Sequence, residues 1–564
     1  MNTVICQINS KYIHSSLAAW CIKAGVERYS TCNTDICVVE GTINEDINAV
    51  AQRIFTEKPD ILGFCCYIWN ITFVRTLAEA IKKRIPQCRI VFGGPEVSYN
   101  AEEILRENRF VDFVISGEGE YPFAYLTDCI VKNLNPNGYG ICYREDFNDI
   151  VVSEPHISCE EPPTPYCNDY FEALGGRIAY IETSRGCPYS CAFCLSGRCG
   201  GVRYFDIDRI FGELKVLAQS GCKTIKFVDR TFNAHKARAK KIVSFITDNY
   251  GEGIPKEVCF HFEIAGDILD DELITLLTSA PKGLFQLEIG MQSFNETTLE
   301  SINRKTNCEK LKKNIEKLIS ARNMHIHIDL IAGLPFEDFA SFEESFNTAY
   351  SLGADMLQLG FLKLLHGAEM RESPEKYPCE FDSKPPYEVN CTPYINGEQL
   401  QKLKKIEDTL ERTYNSGRFR YTLEYVISTG FEPFELFEKL SEVLSNTDRI
   451  SLNDYTSLLF DALKDFEGVN CEILRDKMLC DRLSVNRDGK IPPCLRIEDP
   501  FLKTARHFLG KQLKTEKSSG VKRAVALLYS EKKVVWCDYN ECDPITGRYP
   551  LNKLDFDSIS KLSD

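Results

Sequence analysis

Six short apolar runs recur across the middle of the chain, at residues 178–182, 224–228, 258–263, 285–289, 325–331 and 356–362. Stretches of helical period lie between them, among them 206–219, 235–250 and 339–351. A strand followed by a helix of that length returns to its sheet by a crossover, so neighbouring strands run parallel. Six repeats instead of eight point to a partial (β/α)6 barrel of TIM type, with its chemistry at the carboxyl ends of the strands.

The loop after the first of these runs is Glu182-Thr-Ser-Arg-Gly-Cys-Pro-Tyr-Ser-Cys-Ala-Phe-Cys-Leu-Ser-Gly197. Its thiols, Cys187, Cys191 and Cys194, are spaced to hold three irons of a 4Fe-4S cluster, and a missing fourth ligand leaves one iron open for chemistry. A structural zinc site is the alternative, with Cys199 or a distant histidine as fourth ligand. The Cys-x-x-x-Cys-x-x-Cys run resembles the cluster motif of the radical S-adenosylmethionine superfamily. That resemblance implies that S-adenosylmethionine chelates the open iron. Its reductive cleavage then gives a 5′-deoxyadenosyl radical, with electrons from an external donor such as flavodoxin or ferredoxin.

The first 150 residues alternate in the same way: strands are expected at 4–8, 35–40, 61–65, 89–92 and 113–116, and helices at 16–29, 43–56 and 73–85. This pattern predicts an open doubly wound, Rossmann-like sheet, which binds ligands outside the carboxyl ends of its strands. Three loops fall there: the segment from Ser10 through Tyr12, His14 and Ser15, then Gly93-Gly94-Pro95 with Ser98, then Gly117-Glu118-Gly119-Glu120. Each alone reads as an ordinary loop. Together they resemble the cobalamin-binding domain that precedes the barrel in one class of radical S-adenosylmethionine enzymes. The Asp-x-His-x-x-Gly string by which some such domains ligate cobalt is absent, so the resemblance implies cobalamin without a motif histidine. His14 is as well suited to capping the first helix as to meeting a corrin.

Other strand ends carry polar residues that resemble the superfamily's S-adenosylmethionine contacts. Asp229 would lie near the methionyl amine, Gln292 and Ser293 near the ribose, and Gly333 beside the adenine, with Glu263 a further cofactor-binding candidate. For Glu263 and Asp329 the competing expectation is an internal ion pair with Arg230 or Arg185. His325 and His327 alternate on one strand and so share a face.

Residues 151–176 are rich in proline and polar residues and read as a linker, which places the barrel at 177–366. From 367 to 564 a helix-rich α+β domain follows, with helices at 398–414, 433–444 and 455–466 and a hairpin from 523–529 and 533–538. It resembles an uncharacterised domain attached to cobalamin-dependent radical enzymes (DUF4080-like) and is expected to contribute to a substrate cavity or to partner contacts. Lys503, Arg506, Lys511, Lys514, Lys517, Lys522 and Arg523 form a basic run there, read as a solvated face or an anion site. Cys471, Cys480, Cys494, Cys537 and Cys542 are candidates for an auxiliary cluster.

Twenty-five cysteines without a secretory leader argue for reduced thiols, a cytoplasmic setting and an anaerobic habit. The longest apolar stretch, 61–74, is too short to span a bilayer. A net charge of −15 argues against nucleic acid as a partner. The expectation is a radical enzyme that methylates an unactivated carbon of an unknown small-molecule or peptide substrate. One S-adenosylmethionine would methylate cobalt and a second would yield the radical. Radical cyclisation of the anaerobic porphyrin-cyclase type, methylthiotransfer, and a non-enzymatic corrinoid sensor or carrier with a structural cluster are the alternatives.

Overall fold

The computed structural model describes residues 1–145, 149–444, 450–487, 490–512 and 524–560. By their contacts they fall into two units. The first comprises Met1–Leu277, Leu299–Thr306 and Phe361–Pro393, and the second Thr278–Thr298, Asn307–Gly360 and Tyr394–Asp564.

In the first unit the chain begins with a seven-stranded sheet of strands β1 (Asn2–Asn9), β2 (Asp35–Thr42), β3 (Ile61–Cys65), β4 (Arg89–Gly93), β5 (Phe113–Ile115), β6 (Ile141–Arg144) and β7 (Ile150–Val151). Their order is β2-β1-β3-β4-β5-β6-β7. Strands β1 to β5 are parallel, as the helix-length crossovers between them require, and β6 and β7 add an antiparallel edge. β3 is buried throughout because helices cover both faces of the sheet. Alternate residues of β1 serve two cores: Val4, Cys6 and Ile8 pack on one side and Ile5 on the other. The strand order reverses direction between β1 and β3, which opens a crevice at their carboxyl ends.

The linker is more ordered than its prolines suggest, since it contains a helix at Asn168–Leu174. β8 (Ala179–Ile181) then pairs in parallel with β11 (Thr224–Phe227), and β11 with β12 (Cys259–Ile264). Between them a short antiparallel ladder joins β9 (Ser184–Arg185) to β10 (Arg203–Tyr204).

The second unit holds the other three expected strands, β13 (Phe285–Gln292), β14 (His325–Ala332) and β15 (Met356–Phe361), with β13 and β14 parallel. Helices from the last third of the chain pack on the helix Phe339–Ser351. Phe346 meets Phe434 at 5.4 Å and Phe437 at 5.8 Å, and Tyr350 meets Tyr414 at 4.7 Å. Asn415 receives the Leu357 amide at 3.0 Å and donates to the Leu357 carbonyl at 2.8 Å, fastening these helices to β15.

Helices Gly397–Leu410, Pro433–Leu444 and Leu452–Leu463 correspond to the three expected, the first stopping short of 414 in a π-helical turn at Glu411–Asn415. Helices Arg420–Ser428, Cys471–Val485 and Phe501–Gln512 were not read from the sequence. Cys471–Val485 buries Arg475, Asp476, Asp481 and Arg482 beside its leucines, so its sequence lacks an apolar stripe. The hairpin forms between Ala524–Leu528 and Lys533–Cys537 and gains a third strand, Asn552–Asp555. Arg523, Lys514, Lys517 and Lys522 lie outside the described residues, as does the side chain of Lys511. No described helix is long and apolar enough to cross a membrane.

Candidate active site

The β9–β10 ladder pairs Arg185 with Arg203 and Ser184 with Tyr204, pinching off residues 186–202 as a closed loop. Inside it the Cys194 amide reaches the Cys191 carbonyl at 3.0 Å. Ala192 is held from both sides, donating to the Ile302 carbonyl at 2.9 Å and accepting from the Met370 amide at 3.0 Å. Cys191 is buried and Cys187 and Cys194 are half-buried. Burial pushes the Cys191 thiol up; Arg304, whose Nη1 lies 3.8 Å from the sulfur, opposes this, and Cys194 and Cys187 push it up further. Thr231 Oγ1 lies 3.4 Å from Cys187 Sγ, and the Ser196 amide donates to Cys194 Sγ at 3.4 Å. Three thiols on one anchored loop, with a guanidinium and a backbone amide donating to two of them, fit a three-thiolate iron-sulfur ligand set. The side chain of Cys199 is not among those described.

Asp229, just past β11, braces the base of this loop. Its carboxylate receives the Thr183 amide at 2.9 Å, Thr183 Oγ1 at 2.7 Å and Ser184 Oγ. Burial pushes its carboxyl up against those bonds. Arg185 points the other way, into three carboxylates. It lies 3.1 Å from Glu118, 2.5 Å from Glu120 and 2.9 Å from Glu182. Burial would raise the Glu120 carboxyl, but the guanidinium outweighs it and holds it below the usual carboxylate range. Glu263 lies 3.5 Å from the Lys226 ammonium, a cation other than the arginines of the competing expectation.

A cavity of about 800 Å³ opens within the first unit. Its walls come from the carboxyl ends of β1, β3, β4 and β5 on one side and of β8, β11 and β12 on the other. Ser10, His14, Ser15, Gly93, Gly94, Gly117, Glu118, Gly119, Glu120 and Glu263 all line it. Tyr12, Pro95, Ser98 and Asp229 are not among its lining residues. Tyr12 is 75% exposed and stacks on Arg177 outside it. Ser98 joins two loops, donating to the Gly94 carbonyl at 2.9 Å and accepting the Gly117 amide at 3.1 Å.

His14 does not cap a helix; the first begins at Ala18, and His14 Nδ1 pairs with the Tyr180 hydroxyl at 2.7 Å. Gly117 and Gly94 have φ of +88° and +112°, and a Cβ would lie 2.2 Å from the His156 carbonyl oxygen and 2.5 Å from that of Cys66. The chain itself requires these two glycines. A Cβ at Gly93, by contrast, meets nothing nearer than 3.8 Å and would project into open cavity. Sequence reasoning missed Tyr67 and Trp69, stacked at 4.4 Å with planes 10° apart, both lining the cavity, Trp69 48% exposed. An exposed tryptophan just beyond a buried strand was the available signal.

The remaining candidates lie in the second unit. Gln292 sits at φ +71° where the β13–β14 register shifts, a bulge that re-aims the strand end. Ser293 is buried and donates to Glu337 Oε1 at 2.5 Å, with Ser345 Oγ 3.3 Å from the same oxygen. Glu337 Oε2 is buried without a hydrogen-bond partner. Burial pushes this carboxyl up to about 7 despite the two serines. Gly333 takes φ +87° in the loop between them. Asp329 pairs with His327 Nε2 at 2.9 Å, replacing the arginine partner expected, and Glu288 completes a set of ligand atoms within 4.8 Å.

Three family models cover most of the chain: B12 binding domain at residues 4–127, Radical SAM superfamily at 181–349, and Protein of unknown function (DUF4080) at 375–534. The chain joins a B12-binding domain to a radical SAM domain. The chain is 27% identical over 339 residues to the cobalamin-dependent radical SAM methyltransferase TokK of Streptomyces tokunonensis, covering 57% of this chain and 49% of that protein. It is 23% identical to the anaerobic magnesium-protoporphyrin IX monomethyl ester cyclase of Rubrivivax gelatinosus, covering 57% and 60%. The match to TokK thus spans about half of that relative's length. Among solved structures, the cobalamin-dependent S-adenosylmethionine radical enzyme OxsB shares the fold, with a TM-score of 0.61 over 92% of this chain and 82% of that one at 14% identity.

Proposed function

We infer that this chain is a cobalamin-dependent radical S-adenosylmethionine enzyme whose favoured reaction is methyl transfer to an unactivated carbon. The observation that carries the reading is the single cavity walled by the strand ends of the B12-binding domain and by strand ends of the radical SAM domain, with the cysteine loop rooted at its edge. In this reading Cys187, Cys191 and Cys194 hold a 4Fe-4S cluster, and the Gly93–Gly94 and Gly117–Glu120 loops with Trp69 hold the corrin. Gln292, Ser293 and Gly333 belong to the S-adenosylmethionine subsite. These groups would supply reductive cleavage, hydrogen abstraction and methyl carriage; the protein's part is positioning and exclusion of water.

The chain's own residues then have defined tasks. Arg185 ties the Glu118–Glu120 loop to the base of the cysteine loop, so the two cofactor loops are held in one register. Asp229 fixes that base from beneath. The Glu263–Lys226 pair gives the cavity floor a charge pair for orienting a polar substrate.

The test is metal and corrinoid analysis of protein purified without oxygen from cobalamin-fed cells, followed by assay of the reduced protein with S-adenosylmethionine. About four irons and about one corrinoid per chain, with 5′-deoxyadenosine formed and lost in Cys191→Ala, are expected. Iron without corrinoid would overturn the cobalamin assignment. A cluster inert toward S-adenosylmethionine would favour a sensor or carrier. The match to a cyclase supplies a second reaction, and the yield of S-adenosylhomocysteine per product separates it from methyl transfer.

A further inference from the structure

In the second unit, far along the chain from the cysteine loop, a pocket of about 320 Å³ opens between the helix Cys471–Val485, the segment 490–498, the helix Phe501–Gln512 and the strand Ala524–Leu528. Its inner wall is apolar: Leu479, Leu495, Ala526 and Leu527 are each buried, and the Leu502 side chain joins them. The other wall is cationic, which is unexpected in a protein of net charge −15. Lys490, Arg496 and Arg506 line it against a single carboxylate, Glu498.

The most buried of the arginines that line the pocket is the one the fold has fixed. Arg475 is 6% exposed. Its Nε donates to Asp476 Oδ1 at 3.1 Å and its Nη2 to the Leu527 carbonyl at 3.1 Å. The guanidinium lies over the Tyr529 ring at 4.8 Å, and the Tyr529 hydroxyl is tied in turn to Asp499 at 2.5 Å. Nη2 also pairs with Asp476; these bonds fall on Nε and Nη2, and among the described residues no hydrogen bond falls on Nη1 of this pocket-lining arginine. Arg496 is anchored through Nε to the Ile491 carbonyl at 2.7 Å, and Arg506 is exposed. A buried, pre-oriented arginine loses little conformational freedom when it meets a carboxylate, and an apolar wall beside it adds burial of a hydrocarbon body. A volume of this size falls at the small end of the range for small-molecule sites.

We propose that this pocket is a binding site for an amphipathic anion, a carboxylate carried on a short hydrocarbon chain. The carboxylate sits against Arg475 and between Arg496 and Arg506, and the chain lies along Leu495, Leu502 and Leu527. The proposal is independent of the reaction assigned above. It gives the Arg506 end of the basic run a purpose other than solvation.

The test is isothermal titration of the iron-loaded full chain with octanoate, beside acetate, inorganic phosphate and 1-octanol as probes of charge alone and of chain alone. Saturable binding of octanoate is expected, at least tenfold tighter than each of the three controls. It should weaken at least tenfold in Arg496→Glu/Arg506→Glu, whose side chains are exposed, and in Arg475→Met. Absence of saturable octanoate binding, or binding unchanged in the exposed double variant, would overturn the proposal. So would acetate or phosphate binding as tightly as octanoate, which would reduce the pocket to a bare anion site.

Discussion

Replacing Glu337 by glutamine should stabilise the protein at alkaline pH, by an amount that shrinks as the pH falls. The carboxyl is 1% exposed, meets serine hydroxyls and no cation among the described residues, and leaves Oε2 without a partner. Burial holds it at about 7 in the fold, against an ordinary value of 4.5. Because the folded value is the higher one, the acid's contribution is complete below about 4.5 and is lost as the pH rises through about 7. Glutamine reproduces the protonated acid at every pH, including a buried N–H where the acid's proton would sit, so the comparison isolates ionisation. The variant is expected to exceed the parent by about 3 kcal/mol at pH 8, about 2 kcal/mol at pH 6 and under about 1 kcal/mol at pH 5. At about 2–4 °C per kcal/mol for a unit of this size, the pH 8 difference corresponds to roughly 6–12 °C. Scanning calorimetry of the full chain and variant at the three pH values reads it directly. Equal transitions at pH 8, or a difference that does not change with pH, would refute the reasoning.

Arg185→Met should cost about 3–5 kcal/mol in urea unfolding, because it strands Glu120 and Glu182 together while Glu118 keeps Arg203, and Glu120→Gln in the same chain should recover part of the loss. Burial would raise the Asp128 carboxyl, but the Ser30 and Thr31 hydroxyls and the Thr31 amide outweigh it and hold it at about 2. Its stabilisation is therefore present above about 3.8 and lost as the pH falls through about 2, and Asp128→Asn should cost about 1–2 kcal/mol at pH 7 after allowance for solvent screening. Trp69→Ala should lower corrinoid content severalfold while iron content, read on the same sample, stays unchanged; loss of both would assign Trp69 to folding instead.

The parts of the fold that were legible in the sequence are those where one physical requirement dominates. Parallel strands buried on both faces need continuous apolar runs, and β3 has one; helices that cover a sheet need a stripe, and Phe339–Ser351 has one. The cysteine loop was legible because iron ligation demands fixed spacing. The helix Cys471–Val485 was hidden because its buried charges find partners only after folding, Arg475 in Asp476, Asp481 in Arg548 and Arg482 in Asn453 and the Lys490 carbonyl. The partners of Arg185 and Glu263 were hidden for the same reason: an ion pair is set by which loops meet, and Glu118 is 67 residues from Arg185. The loop glycines, singled out by their place at the strand ends, do two different things. Gly94 and Gly117 admit their own chain's carbonyls, and Gly93 is the one that clears space.

The chain passes between the two units five times, at 277, 298, 306, 360 and 393. The segment after 393 also supplies the aromatic cover of the helix Phe339–Ser351 and the clasp of Asn415 on Leu357. This tail therefore cannot be inherited or deleted as a cassette. A gene ending at 393 would encode a barrel with Phe346 and Tyr350 bare, a sticky surface prone to clumping. Any lineage that lost the tail would have to rewrite that helix's outer face in the same step, which ties the history of the last third of the chain to that of the barrel.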